Sequence, residues 1–316
     1  MDVFRHEIPR IRFLAVEKLS ILYNFLTTLL IIVFYPALCN PRAMFMGRFF
    51  ILVLTFASLY LYCRIPSKAT RYLRLLLQIS FLNFWYPETF EFSRMFGNYD
   101  HLFASLDLAL FGCQPSLMFG KVCDNMFWRE LFCFGYWMFY PMIMIVVTYF
   151  FFLRPRDAER CSFVVVLSFF IYYIVFMFVP VAGPQFYFPV ITDDLALSGE
   201  CPNIGDYFDK NPVALTALDN DGGLFECLVK WAQSFGERPT AAFPSSHVGI
   251  ATITIIFARR MGKWFFAGLF VIYLVLCFST VYIRAHYLVD VIAGAATGFL
   301  LYWLTLHMFE KFFSKN

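Results

Sequence analysis

Charged side chains are scarce in this chain. Asp, Glu, Lys and Arg make up 15% of its 316 residues, where a soluble domain carries about 25%, and apolar residues reach 60%. That shortage excludes an ordinary cytosolic enzyme, and the length of the apolar runs excludes disorder and a small disulfide-stapled secreted domain. No Gly/Ser-rich linker, internal repeat or low-complexity tract interrupts the chain, so residues 1–316 read as a single membrane domain. A net charge of +3, with no basic cluster interleaved with aromatics, excludes a nucleic-acid partner. The nine cysteines show no zinc spacing. Cys39, Cys63, Cys133, Cys161 and Cys277 fall in or beside apolar runs and read as buried thiols. Cys113, Cys123, Cys201 and Cys227 fall in the outer segments, where oxidation can occur, and Cys113–Cys123 and Cys201–Cys227 are the candidate pairs.

What the chain has in abundance is apolar and aromatic surface: 43 Phe, 18 Tyr and a mean hydropathy of +0.66. Runs long enough to cross about 30 Å of hydrocarbon lie at 19–39, 46–63, 70–86, 131–153, 161–180, 246–258, 264–283 and 287–308. The expected fold is therefore all-α, a polytopic membrane helix bundle of about eight transmembrane helices. The third run carries Arg74, Gln78 and Asn83, and the sixth is short. Eight spans put both termini on one side. That side holds 16 of the 25 Lys and Arg, among them Arg5, Arg10, Arg64, Arg154, Arg259 and Lys315. Short basic loops stay cytoplasmic, so both termini are expected inside, in a plasma or inner membrane. The first apolar run lacks a small-residue cleavage pattern and reads as a retained anchor.

Two long segments, about 87–130 and 181–245, lie on the outer side. The first places Tyr99, Leu102, Phe103, Leu106 and Leu110 at helical spacing, with Asp100 and Asp107 off that stripe; the second repeats the pattern with Leu224, Leu228, Trp231 and Phe235. Both read as interfacial helices packing over the bundle, with a lipid-facing wall beside an active site as the functional alternative.

There are only five histidines, and His6, His101 and His307 carry no pattern. His247 closes Phe243-Pro244-Ser245-Ser246-His247 at the outer mouth of the sixth run. His286 stands where the seventh run turns into the eighth, in Arg284-Ala285-His286-Tyr287-Leu288-Val289-Asp290. Counting spans brings both histidines to the same outer face. His286 and Asp290 are four apart, which on a helix puts them on one face. A carboxylate on one imidazole nitrogen leaves the other free as a nucleophile, and a second histidine can protonate a leaving oxygen. Ser245 and Ser246 open a helix whose N–H groups favour a phosphate. Arg284 and Arg238 supply cations near the same rim, and the pattern points to phosphoryl transfer through a phosphohistidine. No carboxylate cluster with metal spacing accompanies the histidines, so no cofactor or metal is expected.

These residues resemble a known family. Phe243-Pro244-Ser245-Ser246-His247 resembles the second signature of the type 2 phosphatidic acid phosphatase (PAP2) superfamily, and His286-x3-Asp290 followed by Val291-Ile292-Ala293-Gly294 resembles its third. The resemblance implies a six-helix catalytic core, assigned to 67–310, with 1–66 as two accessory spans. It also implies His286 as nucleophile, Asp290 as its orienting carboxylate and His247 as general acid. The chain departs from the phosphatase pattern. The Ser-Arg expected six residues before the third-signature histidine is Ser279-Thr280 here, and the first signature is absent. Pro180-Val181-Ala182-Gly183-Pro184-Gln185-Phe186-Tyr187 and Leu106-Asp107-Leu108-Ala109-Leu110-Phe111-Gly112-Cys113-Gln114-Pro115 look like the branch of Aur1-type inositolphosphotransferases, the inositol phosphorylceramide synthases. That likeness adds Gln185 and Tyr187 as substrate-binding candidates. It implies a phospholipid donor and a lipid-alcohol acceptor as the membrane partners. Asp107 itself reads as the polar face of its helix, and Gly294-x3-Gly298 as a close helix contact. The rival readings are a lipid phosphatase with water as acceptor, and a non-catalytic lipid-binding or transport protein.

Overall fold

The computed structural model of the chain describes residues 12–211, 222–234 and 236–313; Arg5, His6, Arg10, Phe235 and Lys315 lie outside them. Every regular element among the described residues is helical. In chain order these are α1 (Ala15–Val33), α2 (Pro41–Arg64), α3 (Lys68–Ser80), α4 (Leu82–Ser93), α5 (Asp100–Phe111), α6 (Pro115–Val122), α7 (Met126–Trp137) and α8 (Phe139–Leu153). They continue as α9 (Pro155–Phe178), α10 (Pro184–Ile191), α11 (Asp193–Leu197), α12 (Tyr207–Lys210), α13 (Leu224–Ser234), α14 (Ser246–Ala258), α15 (Lys263–Tyr282) and α16 (Leu288–Phe313). Several of these starts follow from side chains that take up orphan N–H groups. Asn40 accepts from the Ala43 amide ahead of Pro41, Ser67 from Thr70, and Asn125 from Trp128.

Five helices, α1, α2, α9, α15 and α16, are long and apolar enough to cross a membrane. The bent pairs α5–α6 (63°) and α7–α8 (41°) raise the count to seven if each is taken as one span. The expected eight differ from this at three places, the first being the bent pair α5–α6, which no expected run covers. The third run is two helices, parted at Phe81, which carry the buried Arg74 and Gln78 and, beyond the run's end, Glu88. The sixth run is the 13-residue α14, which at 1.5 Å per residue reaches only about 20 Å.

Large apolar side chains such as Phe25, Phe49, Val271, Phe299 and Trp303 remain exposed along α1, α2, α15 and α16, the surface that a bundle offers to lipid. At the centre runs α9, with 72% of its apolar window buried against 28% for α2 and α15. It packs against α1, α4, α8, α14 and α16. Tyr23 of α1 stacks on Phe170 of α9 at 3.9 Å between ring centres. The glycines of α16 let α14 approach closely, as their spacing implies. A Cβ on Gly294 would lie 2.5 Å from the Ser245 carbonyl oxygen, and one on Gly298 would lie 2.4 Å from that of Gly249.

Two expectations need correction. Most of the stripes of α5 and α13 do not pack over the bundle: Leu102, Leu106, Leu110, Leu224 and Trp231 are exposed, while Phe103 packs on Phe243, 4.5 Å between ring centres. Their polar faces turn inward instead, with Asp100, Asp107 and Glu226 fully buried. All nine cysteines are free thiols, so neither Cys113–Cys123 nor Cys201–Cys227 is bonded. Cys201 receives a hydrogen bond from Gln114 Nε2 at 3.7 Å, while Cys227 stands exposed on α13.

Candidate active site

Ser245 caps α14: its hydroxyl accepts from the Val248 amide at 3.3 Å, and its own amide donates to the Asp290 carbonyl at 3.1 Å. The peptide before Pro244 is cis. His247 is therefore the second residue of α14, half-buried, with the rings of Tyr136 and Phe139 packed on it at 4.8 and 4.5 Å between centres.

His286 sits in the turn between α15 and α16. The Ile283 and Arg284 amides close the end of α15 on Ser279 and Val281, and the His286 amide donates back to the Thr280 carbonyl at 3.0 Å. Arg284 adopts a left-handed φ of 61°, a conformation that usually falls to glycine. The Gln185 amide holds the Arg284 carbonyl at 2.7 Å. The turn thus carries the His286 ring to the Ala242 carbonyl, 2.8 Å from Nδ1. A carbonyl oxygen only accepts, so this partner assigns the proton to Nδ1 and leaves the lone pair on Nε2. That Nε2 lies 3.4 Å from Nδ1 of His247, which by the same logic is the donor. Burial pushes the His286 pKa down to about 4 against the opposing Ala242 carbonyl, so the ring is neutral near pH 7.

The orienting role expected of Asp290 is shared. Because α16 begins only at Leu288, His286 precedes the helix and the four-residue spacing does not stack the two side chains. Asp290 Oδ2 stands 3.7 Å from His286 Nδ1 and accepts the Tyr287 amide at 2.9 Å. The nearer partner of Nδ1 is the Ala242 carbonyl.

Two carboxylates that the sequence set aside hold this turn in place. Asp107 accepts the Leu288 and Val289 amides, each at 2.9 Å, and so caps α16 from a different helix. Asp100 accepts the Ala182 and Gly183 amides at 2.7 Å each and the Tyr287 hydroxyl at 2.9 Å. It thereby ties the loop after α9 to the residue beside His286. Gly183, at φ 97°, passes so close to the turn that a Cβ would lie 2.6 Å from the Ala285 carbonyl oxygen. The signal available in sequence was the seven-residue spacing of Asp100 and Asp107, which puts both on one face of α5.

The remaining candidates divide. Ser246 is buried and lines a cavity of about 470 Å³ together with His247. Arg284 is committed to Asp193, with Nη1 at 3.0 Å from Oδ2. Arg238 is exposed, and no ion pair of its side chain is found among the described residues. The Tyr187 hydroxyl donates to the Pro202 carbonyl at 2.7 Å and its ring is fully buried, so it fastens the loop rather than facing the histidines. Gln185 donates through Nε2 to Glu237. Thr280, at the position where phosphatases carry Arg, is buried with its hydroxyl donating to Cys277 at 2.9 Å.

Sequence reasoning missed Glu237 and the tyrosines of the cavity, Tyr86, Tyr136, Tyr140 and Tyr173. Burial pushes the Glu237 pKa up to about 7, against hydrogen bonds from Gln185 and Gln233 that favour the anion. A family model described as PAP2 superfamily matches residues 101–304, α5 through most of α16. No curated protein and no solved structure matches the chain.

Proposed function

The chain belongs to the PAP2 superfamily, whose members are phosphatases or phosphotransferases acting on phosphorylated substrates, and on that premise we propose that it is a lipid phosphotransferase. In this reading it moves a phosphorylated, inositol-phosphate-like headgroup from a phospholipid to a lipid alcohol such as ceramide, as the Aur1-type branch does. The observation that carries the chemistry is the 3.4 Å approach of His286 Nε2 to His247 Nδ1, the ring centres 5.6 Å apart and the His286 lone pair turned toward His247. The donor's phosphodiester displaces this contact, with its phosphorus on the His286 side and its leaving oxygen on the His247 side. His286 Nε2 attacks phosphorus, the bond to the leaving diacylglycerol oxygen breaks, and His247 gives that oxygen its proton. In the second half the acceptor hydroxyl attacks phosphorus, the P–Nε2 bond breaks with its electron pair returning to His286, and His247 takes the hydroxyl proton.

The shortage of available cations supports a diester rather than a monoester. A phosphomonoester dianion calls for more positive charge than a diester, yet Arg284 is paired with Asp193 and Thr280 replaces the family arginine. Arg238, exposed next to the cavity residue Glu237, favours the second reading, hydrolysis of a phosphatidic acid, a phosphatidylglycerophosphate or an isoprenoid phosphate. Residues 67–310 form the catalytic core in this account, with 1–66 accessory. Both termini are cytoplasmic and the histidines lie at the extracytoplasmic face of a plasma or inner membrane, a placement supported by the distribution of basic residues.

Purified protein given labelled phosphatidylinositol, with and without ceramide, separates the readings. Transfer predicts label in a new lipid only when ceramide is present. Label appearing solely as water-soluble phosphate contradicts transfer and supports hydrolysis.

A further inference from the structure

The cavity beside His247 has walls from α3, α4, α7, α8, α9 and α13, and it brings two kinds of surface together. One is apolar, with Leu76, Ile143 and Met144; the other is polar, with Gln233, Glu237 and Ser246 beside the catalytic ring. Its volume of about 470 Å³ falls within the range of ligand sites. Tyr140, one of its lining residues, is 55% exposed on the flank of α8, so the cavity reaches the side of the bundle that faces lipid.

Charge decides what can occupy it. Among the described residues lining the cavity none is Lys or Arg, and the one ionisable carboxyl is Glu237. A phosphate entering here meets an acid and no cation, at a cost that rises as water is excluded. An uncharged hydroxyl or amide meets no such penalty. It finds a carboxyl already ordered by Gln185 and Gln233, and Gln185 is tied through its own amide to the Arg284 carbonyl in the His286 turn. Near neutrality Glu237 can both accept from a hydroxyl and, when protonated, donate to an amide carbonyl.

We propose that this cavity is the acceptor subsite: it takes a lipid whose polar end carries hydroxyl or amide groups and no charge, and Glu237 recognises that end. The assignment rests on the transferase reading and adds to it a division of the site. The donor phosphate approaches the histidines from the rim, and the acceptor approaches from the tyrosine-lined cavity.

Binding tests it without turnover. The full-length protein is irradiated with a diazirine-bearing ceramide, and adducts are mapped by mass spectrometry in the wild type, Glu237→Leu and Ala232→Phe, each first checked for a wild-type elution profile. The expected result is adducts on Tyr86, Tyr140 or Met144 that unlabelled ceramide displaces, with apparent affinity falling about tenfold in each variant. A Gln233→Leu variant, which leaves the carboxyl in place, is expected to weaken binding less than Glu237→Leu. Adducts outside the cavity, affinity indifferent to both variants, or displacement by phosphatidylinositol more readily than by ceramide would each overturn the assignment. The two proposals fail separately. Protein that binds ceramide in the cavity but transfers no label contradicts the transferase, and with it the acceptor role, while upholding the cavity as a site for an uncharged polar lipid; protein that transfers label with adducts elsewhere contradicts the subsite alone.

Discussion

Two regions of this molecule bury carboxylates, and they satisfy them by different means. Among α1 to α4 each is matched by a cation. Arg74 grips Glu17 through Nε and Nη2 at 2.8 and 2.6 Å, and Arg48 meets Glu88 at 2.7 Å, all four side chains buried. Around the histidines the carboxylates of Asp100, Asp107 and Asp290 are held chiefly by backbone amides. The first arrangement joins helices and neutralises charge locally. The second fixes loops and leaves the arginines of the rim uninvolved with these three acids. A site built to receive an anionic headgroup gains from the second arrangement, because amides position the turn without placing a salt bridge where the phosphate must go.

Removing one partner of an ion pair breaks the comparison most severely. Arg74→Leu strands Glu17 in the bundle and is expected to cost about 3–5 kcal/mol, read by thermal unfolding in detergent. The double variant Arg74→Leu with Glu17→Leu should recover most of that loss. If the double variant is as unstable as the single, the charges are not what links α1 to α3.

The titration of the histidine end gives a signed test of about 3 kcal/mol. The folded His286 pKa is lowered from 6.5 to about 4, so the unfolded chain binds more protons there and stability falls as pH drops from 6.5 towards 4. The folded Glu237 pKa is raised from 4.5 to about 7, so it acts oppositely and stability falls as pH rises from 4.5 to 7. Between 4.5 and 6.5 the two offset each other in the wild type. Glu237→Gln should expose the acid-side loss and His286→Asn the alkaline-side loss, each as a difference from the wild-type curve. Parallel curves for all three proteins would contradict both shifts.

Asp107→Asn sharpens the contrast at smaller cost. One oxygen in place of two still caps α16, so stability should fall by about 1 kcal/mol. Loosening of the His286 turn should lower kcat by about tenfold or more, with a smaller change in KM. Equal losses in kcat and stability-limited yield would reduce Asp107 to a structural cap. Smallest of all, Tyr187→Phe removes only the bond to Pro202 and should cost about 1 kcal/mol with little change in donor KM. A large KM effect would return Tyr187 to the substrate.

Much of the scaffold was legible because its signals are local. Apolar runs marked the spans, and the order of spans sent His247 and His286 to one end. What was not legible depends on contacts between distant segments. The i, i+4 spacing of His286 and Asp290 suggested a stacked pair, but α16 starts two residues too late for it, and the carbonyl of Ala242, a group no side-chain pattern reveals, takes the nearer place. Asp107 looked like solvent-facing polarity because amphipathic helices normally turn acids outward. On α5 most of the apolar stripe faces out and the acid faces in, an inversion that suits a helix beside lipid rather than water. The third span reads as continuous because its break at Phe81 involves neither Gly nor Pro. Arg284 looked free for a phosphate because Asp193 is 91 residues away in sequence.

The most direct test of the central claim is to trap the covalent intermediate. Wild-type protein is quenched in alkali during turnover with donor labelled in phosphorus, and the label is located by peptide mapping. The account predicts an acid-labile phosphoramidate on the peptide bearing His286, absent from His286→Ala. Label on His247 instead, or protein that stays unlabelled while product accumulates, would contradict it.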